Sequence, residues 1–368
     1  MTIYRENLEP FQISYPLDKL TNPEEILLLD IETTGFTARS SKLYMIGCAY
    51  YSAGGWHTIQ WLADTYEQEA DILGAFLEFA GSYRYLIHFN GNNFDLPFLM
   101  QKCEHLGITQ HLNDMEGVDL YKRIVPCKAF LKLPNCKQKT LENFLGIDRE
   151  DIFSGGELIG IYHKHVQDPK DFSEKSLFLH NFEDLKGMLA ILPLLSYSDM
   201  LGTDCRAKKV QANSYRDVNG NQRRELLITV ALPTPLPKAI NASANGCYFK
   251  GEGTEGIIRV PIFDGELKYF YSNYRDYYYL PEEDMALHKS VAAFVDKEHR
   301  VQASASNCYT RKNASYLPEW DGSFTPYFKK SYEDKALYFE LTDEMKKDRE
   351  AFTSYANQIL QMIAASCS

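Results

Sequence analysis

The chain of 368 residues lacks any run of 18 or more uncharged apolar residues, and its first twenty residues contain no basic stretch followed by an apolar core. These absences argue against a membrane-spanning or secreted protein. The eight cysteines are dispersed and form no CxxC pair, a pattern typical of reduced thiols rather than of zinc sites or disulfide frameworks. We therefore expect a cytoplasmic protein that has no membrane partner.

Positive charge is scarce in the first half of the chain. The net charge is -11, and residues 1–200 hold 28 Asp and Glu against 17 Lys and Arg, whereas residues 201–368 hold 22 of each kind. Contacts to nucleic-acid phosphates need local positive charge. One stretch, residues 122–139, contains six Lys or Arg and no acidic residue, and we predict that Lys137 and Lys139 in it contact a substrate backbone. A solvated loop is the alternative.

The length indicates two domains, which we place at 1–200 and 201–368. The first has a buried strand in EILLLD, then two strand-like runs separated by the Gly54-Gly55 turn, so three adjacent antiparallel strands are predicted. Helical spacing over 67–80 and a strand that ends at Asn90 imply a crossover. The predicted fold class is therefore α/β, a mixed sheet flanked by helices.

The second half is predicted as a smaller α+β domain of unrecognised fold. Four strands are expected in ELLITVALP, GIIRVPIF, GELKYFYS and ALYFELT, with one helix over PEEDMALHKSVAAFV and a closing helix near 342–364. The tyrosine-rich segment KYFYSNYRDYYYL favours half-buried strands. A platform on which unpaired bases stack is the alternative.

Acidic residues follow the first buried strand at a spacing of two. Side chains two apart in a strand point to the same face, so Asp30 and Glu32 project together while Ile31 points away. Two adjacent carboxylates repel each other unless a cation or proton compensates them. Magnesium and manganese are cations that prefer carboxylate oxygens. The pair therefore predicts a metal site, although the same pattern also occurs for structural or surface reasons.

Two further pieces follow along the chain. Asp95 lies in FNGNNFDLPFL at a strand-to-helix junction and could face the same site, or the segment could be only a turn and a helix cap. His180 and Asp184 are four apart on a predicted helix, hence on one face, where they could also form a surface or capping pair.

This ordered set resembles the DEDD superfamily of 3'→5' exonucleases, and more closely its YprB-like ribonuclease H-like branch. The resemblance spans about 25–196 and is carried by five segments: DIETTGF, FNGNNFDLPFL, LYKRIVPCKAFLKLPNCKQKTLENFLGI, DREDIFSGGELIGIY and LHNFEDLKGM. It implies that two divalent ions, Mg²⁺ or Mn²⁺, are held by Asp30, Glu32, Asp95 and Asp184. It also implies that His180 is the general base, and that Thr33, Thr34 and Asn90 touch the 3' end of a DNA or RNA strand, expected to be single-stranded.

One feature departs from that pattern. His180 precedes Asp184 by four residues, the spacing of the tyrosine-type members, whereas the best-known histidine-type members have one residue more. On a helix one residue turns the side chain by about 100°. Tyr162, His163 and His165 are nearby alternatives for the base. The competing function is a catalytically inactive ribonuclease H-like module that binds nucleic acid or protein.

Overall fold

The computed structural model describes residues 1–8, 13–202 and 205–367. The chain divides into two compact units, and the first comprises Met1–Met200 with Thr234–Lys238. The second comprises Leu201–Pro233 and Ala239–Ser368. Within the described residues, no helix combines the length and the apolarity needed to cross a membrane.

A mixed six-stranded sheet forms the centre of the first unit, in the order β1-β4-β3-β2-β5-β6. Its strands are β1 (Thr2–Asn7), β2 (Ile26–Thr33), β3 (Leu43–Ser52), β4 (Gly55–Leu62), β5 (Tyr85–His88) and β6 (Glu116–Asp119). Strands β1 to β4 pair antiparallel, whereas β2, β5 and β6 run parallel to one another. The predicted set of three adjacent antiparallel strands and the crossover are thereby confirmed.

Helices cover both faces of this sheet. They are α1 (Glu69–Ala80), α2 (Asp95–Leu106), α3 (Leu120–Ile124), α4 (Gln138–Leu145), α5 (Gly155–Gln167), α6 (Asp171–Ile191) and α7 (Leu195–Met200). One apolar core joins Leu27, Leu29 and Ile31 of β2 to α1 and α2. A second core joins β3 and β4 to α5 and α6 through residues such as Tyr44 and Tyr162. Because β2 alternates its side chains, Asp30 and Glu32 lie on the face opposite Ile31.

The second unit is built on antiparallel sheets. The larger has the order β14-β15-β13-β9-β8-β7, and the smaller has the order β11-β10-β12. Their strands are β7 (Arg206–Arg216), β8 (Gln222–Ala244), β9 (Cys247–Phe270), β10 (Tyr277–Leu280), β11 (Met285–His288), β12 (Val301–Gln302), β13 (Tyr309–Glu319), β14 (Tyr327–Phe328) and β15 (Leu337–Glu340). A short helix α8 (Lys289–Ala292) and a long closing helix α9 (Arg349–Cys367) complete it. The α/β fold class, with a separate antiparallel domain, is confirmed.

The helix predicted over PEEDMALHKSVAAFV is wrong. Residues Met285–His288 form β11, and only Lys289–Ala292 are helical. Each residue of β11 pairs with β10, and Ala286 is buried among tyrosines. The ladder hydrogen bonds and this burial outweigh the helical pattern of the isolated segment. The tyrosines of β10 are the half-buried strand residues that we expected.

Candidate metal centre

The site begins with the carboxylates of β2. Leu27, Leu28 and Leu29 are almost completely buried, which fixes the strand in the middle of the sheet. Asp30 and Glu32 follow on the face covered by α6. Asn181 of α6 donates from its side-chain nitrogen to Asp30 Oδ2 over 2.7 Å. The hydrogen bond holds one oxygen of Asp30 and connects strand to helix.

Space for Asn181 depends on a glycine in the neighbouring strand. Gly47 of β3 is the register partner of Asp30. A Cβ atom at Gly47 would lie 1.9 Å from Asn181 Oδ1, so even alanine would collide with the amide. Asn181 also accepts a hydrogen bond of 2.8 Å from Gln60 on β4. The close approach of α6 to the acidic face of the sheet therefore requires a small residue at this position.

Helix α6 brings His180 and Asp184 to the same place. His180 Nε2 lies 3.4 Å from Glu32 Oε1 and 3.3 Å from Asp184 Oδ2. In the described part of the chain, Glu32, His180 and Asp184 form one group whose ligand atoms lie within 4.8 Å of one another, as a metal site requires. His180 is 6% exposed. The alternative of a surface pair between His180 and Asp184 is therefore not what the structure shows.

Two residues between α4 and α5 hold α6 side chains in place. Asp151 Oδ2 lies 2.7 Å from His180 Nδ1. Arg149 donates to Asp184 Oδ1 over 2.6 Å and also binds Glu142 through two of its nitrogens. Arg149 therefore neutralises one oxygen of Asp184 and leaves Oδ2 facing His180.

Asp95 is the first residue of α2. The segment before the helix does form a turn, in which Asn93 N–H donates to Asn90 O over 3.0 Å, but the N-cap residue Phe94 makes no side-chain capping bond. The carboxylate is buried, and burial raises its pKa to about 7, although the backbone N–H groups of Asp95 and Ile31 favour the charged form. The contact with the Ile31 N–H places Asp95 beside β2.

Burial, and after it the charges of neighbouring acids, disfavour the charged forms of Asp30, Glu32 and Asp95. Burial raises the pKa of Asp30 well above its ordinary value, and the charges of Asp184, Glu32 and Asp95 raise it further. Burial likewise raises the pKa of Glu32, with the charge of Asp184 next in size. Asp151 behaves differently, because burial alone would raise its pKa, yet the Phe153 N–H and His180 bring it below its ordinary value. A divalent cation would stabilise the charged forms of these carboxyl groups.

The predicted substrate contacts differ in their surroundings. Thr33 is buried and donates to Gly35 O, whereas Thr34 accepts from Lys42 N. Asn90 has a left-handed backbone (φ 61°). The Asn90 N–H binds Asp119. Lys137 is exposed, but the Lys139 amine lies 3.3 Å from Asp151 Oδ2, so its charge is already engaged.

The three alternative bases lie elsewhere. Tyr162 is buried in a stack on Tyr44, with ring centroids 4.2 Å apart. His163 is exposed and contacts Tyr66, and His165 contacts Ser173. In the described residues, none of these three belongs to the metal-ligating group.

Five residues of the site were not predicted from the sequence: Asn181, Asp151, Arg149, Glu142 and Gly47. Asn181 and the pair Arg149 and Asp151 do lie in LHNFEDLKGM and DREDIF, two segments that carry the resemblance. Their roles were not visible there because each depends on a partner far away in the chain.

Part of the chain is similar to a known protein superfamily. Residues 27–196 match the model of the RNase H superfamily. No curated protein matches the chain. A family B DNA polymerase from the archaeon Pyrobaculum calidifontis is similar at 12% identity and a TM-score of 0.41, over 94% of this chain and 46% of that one.

E. coli exonuclease I in complex with a dT13 oligonucleotide is similar at 12% identity and a TM-score of 0.30, over 56% of this chain and 54% of that one. The chain thus spans about half the length of these solved structures. At such scores these likenesses carry no functional conclusion. The superfamily match confirms the predicted resemblance at that level, while the YprB-like branch stays a prediction. Residues 27–196 form a ribonuclease H-like domain that matches the RNase H superfamily.

Proposed function

We propose that the ribonuclease H-like domain is a metal-dependent 3'→5' exonuclease that hydrolyses phosphodiester bonds of DNA or RNA. One observation carries the proposal: Asp30, Glu32, Asp95 and Asp184 are close enough to interact, and burial together with the neighbouring negative charges disfavours the charged forms of Asp30, Glu32 and Asp95. A fold stabilises such an arrangement poorly, so its presence favours a functional site. The superfamily match of residues 27–196 supports nuclease chemistry.

The four acids form a donor set that fits Mg²⁺ or Mn²⁺, since hard cations prefer several carboxylate oxygens. When bound, a pair of such ions polarises the phosphodiester and activates water. Asp30 and Glu32 are fixed by a central strand, and Asp95 and Asp184 by helices. Asn181 and Arg149 each hold one oxygen of an acid and leave the other available. The chain therefore keeps the ligands rigid before any ion or substrate binds.

The proposed substrate is the 3' end of a single strand. Thr33, Thr34 and Asn90 border the acids along the chain and are the proposed contacts to that end. Lys137 is the better of the two basic candidates for a phosphate contact, because Lys139 is paired with Asp151. A cytoplasmic location stays a prediction.

The proposal can be tested with 5'-labelled single-stranded DNA and RNA in the presence of Mg²⁺ or Mn²⁺. The wild type should give a ladder that shortens from the 3' end, and Asp30→Ala should abolish it. Asp114→Ala is the matched control, because Asp114 is an exposed carboxylate of the same unit with a side chain 78% exposed. Absence of cleavage of both polymers with either metal would overturn the exonuclease.

A catalytically inactive binding module is the second candidate. One observation favours it: the Arg149 guanidinium already binds Asp184 Oδ1, so a cation of the chain itself neutralises part of the acidic cluster. The two candidates differ in metal binding. Mn²⁺ should stabilise an enzyme against heat, whereas a binding module that relies on Arg149 should show no response.

A further inference from the structure

The imidazole of His180 is held in one orientation by Asp151. The Asp151 side chain is 1% exposed. Its carboxylate accepts from Phe153 N over 3.0 Å and from the Lys139 amine over 3.3 Å. A carboxylate with these donors acts as an acceptor toward His180 as well, so the 2.7 Å contact to Nδ1 is an N–H donated by the imidazole.

This assignment determines what the other ring nitrogen presents. With the proton on Nδ1, a neutral imidazole directs the lone pair of Nε2 outward. Nε2 faces Glu32 Oε1 at 3.4 Å and Asp184 Oδ2 at 3.3 Å. When the two carboxyl groups are ionised, three electron-pair donors thus converge in a buried place. A cation in their midst removes this conflict.

We propose that His180 is a metal ligand, which binds a divalent ion through Nε2 together with Glu32 and Asp184, and that Asp151 is its positioning residue. Histidines that bind metals usually donate their second nitrogen to a carboxylate, which fixes the tautomer and increases the basicity of the ligand. The arrangement of Asp151 and His180 has this form. The inference rests on the proposed metal-dependent function and specifies the ligand set of the same site.

The spacing along α6 agrees with this role. Residues four apart lie on one face of a helix, so His180 and Asp184 point to the same ion. A lone pair that binds a cation cannot accept a proton from water, so His180 would not be the general base implied by the resemblance. An imidazole ligand also favours transition metals over magnesium. We therefore expect the site to select Mn²⁺ over Mg²⁺ more strongly than an all-carboxylate site does.

Electron spin-echo spectroscopy of the full chain with substoichiometric Mn²⁺ tests the assignment directly. A directly bound imidazole gives a ¹⁴N coupling, which should change when the protein is labelled with ¹⁵N-histidine. The coupling should disappear in His180→Phe and remain in His163→Ala, the matched control with an exposed histidine of the same unit. Heat-denaturation curves would verify that both variants fold.

Metal affinity gives a second measurement. By calorimetric titration, His180→Phe should bind Mn²⁺ at least about 100-fold more weakly, and Asp151→Asn about 10- to 100-fold more weakly, the usual loss for an outer partner of a ligand. Mg²⁺ affinity should fall less in both.

The outcomes separate the two proposals. Mn²⁺ binding without nitrogen coupling, at an affinity that His180→Phe leaves unchanged, would overturn the ligand assignment and leave the exonuclease standing. Nitrogen coupling in a protein that cleaves no nucleic acid would overturn the exonuclease alone. No Mn²⁺ binding at all would overturn both.

Discussion

Two buried acidic sites, one in each unit, have opposite surroundings. In the second unit, Glu319 is 3% exposed and accepts four backbone N–H groups, those of Trp320, Asp321, Gly322 and Phe324, as well as the Gln358 amide. In the first unit, the charges of neighbouring acids act on both Asp30 and Glu32, while Asp30 accepts from Asn181 and Glu32 accepts from the Tyr44 hydroxyl over 3.4 Å. Hydrogen bonds within the fold stabilise the charge of Glu319, whereas Asp30 and Glu32 lack such a set of donors and would be stabilised by a bound cation.

The difference depends on which hydrogen-bond donors surround a buried carboxylate, and not on the unit to which it belongs. Glu69 lies in the first unit, is 5% exposed, and accepts from Leu43 N over 2.7 Å and from the Lys102 amine over 2.6 Å. Glu69 is thus satisfied by donors of its own unit, as Glu319 is. A buried acid with a full set of donors stabilises a fold, while a group of acids without one indicates a binding site.

The largest effect concerns activity. Asp30→Asn keeps the shape of the side chain but removes a charge that the proposed ions need. Loss of an outer partner of a metal ligand costs about 10- to 100-fold, so loss of the ligand itself should reduce kcat by more than about 100-fold. Glu319→Gln should leave kcat per folded molecule unchanged. Single-turnover cleavage of a labelled oligonucleotide measures the rate of each variant. Equal losses of rate in Asp30→Asn and Glu319→Gln would contradict the assignment of Asp30 as a metal ligand and of Glu319 as a structural residue.

The second effect is stabilisation by metal. A ligand that binds only the folded state stabilises it by about 2.7 kcal/mol at 100 times its Kd. Mn²⁺ should therefore raise the Tm of the first unit, and Glu32→Gln should remove this response. Scanning calorimetry with and without EDTA provides the measurement. A shift that survives in Glu32→Gln would place the ion elsewhere.

The third effect tests the satisfied acid. Glu319→Gln turns the group that accepts from Phe324 N into a donor, and an unsatisfied buried donor costs about 1–3 kcal/mol. The second unit should lose that much stability in calorimetric unfolding. Asp30→Asn in EDTA should not destabilise the first unit at pH 8, because it removes repulsion. Destabilisation by both variants alike would show that Asp30 is a structural residue.

The features of the site that could be predicted from the sequence are those that depend on a local pattern. A continuous apolar run predicted β2, and the period of two placed Asp30 and Glu32 on one face, since both depend only on local pattern. The left-handed backbone of Gly107 at the end of α2 depends on local sequence in the same way, because glycine adopts this conformation without strain. These properties belong to a single element.

The rest of the site depends on tertiary contacts. His180 and Asp151 are 29 residues apart, and Arg149 and Asp184 are 35 apart, so no periodicity connects them. The need for glycine at 47 arises only when Asn181 packs against β3. The strand at Met285–His288 was mistaken for a helix for the same reason, because its pairing with β10 is not visible in the segment alone.

The smallest effect is the pH dependence of the metal-free protein. The carboxyl group of Asp95 has its pKa raised from 3.8 to about 7 in the folded state, and those of Asp30 and Glu32 shift in the same direction. Between these values the folded state binds more protons than the unfolded state, so the free energy of unfolding falls as pH rises.

Each group contributes at most about 1.4 kcal/mol per pH unit to this fall, so the Tm of the first unit in EDTA should decline from pH 5 to pH 7.5. Asp95→Asn should flatten the decline, and saturating Mn²⁺ should abolish it, because an ion replaces the protons. A metal-free protein whose first unit becomes more stable over this range would mean that the acids are compensated within the fold, as Glu319 is, and the contrast between the two kinds of buried carboxylate would be lost.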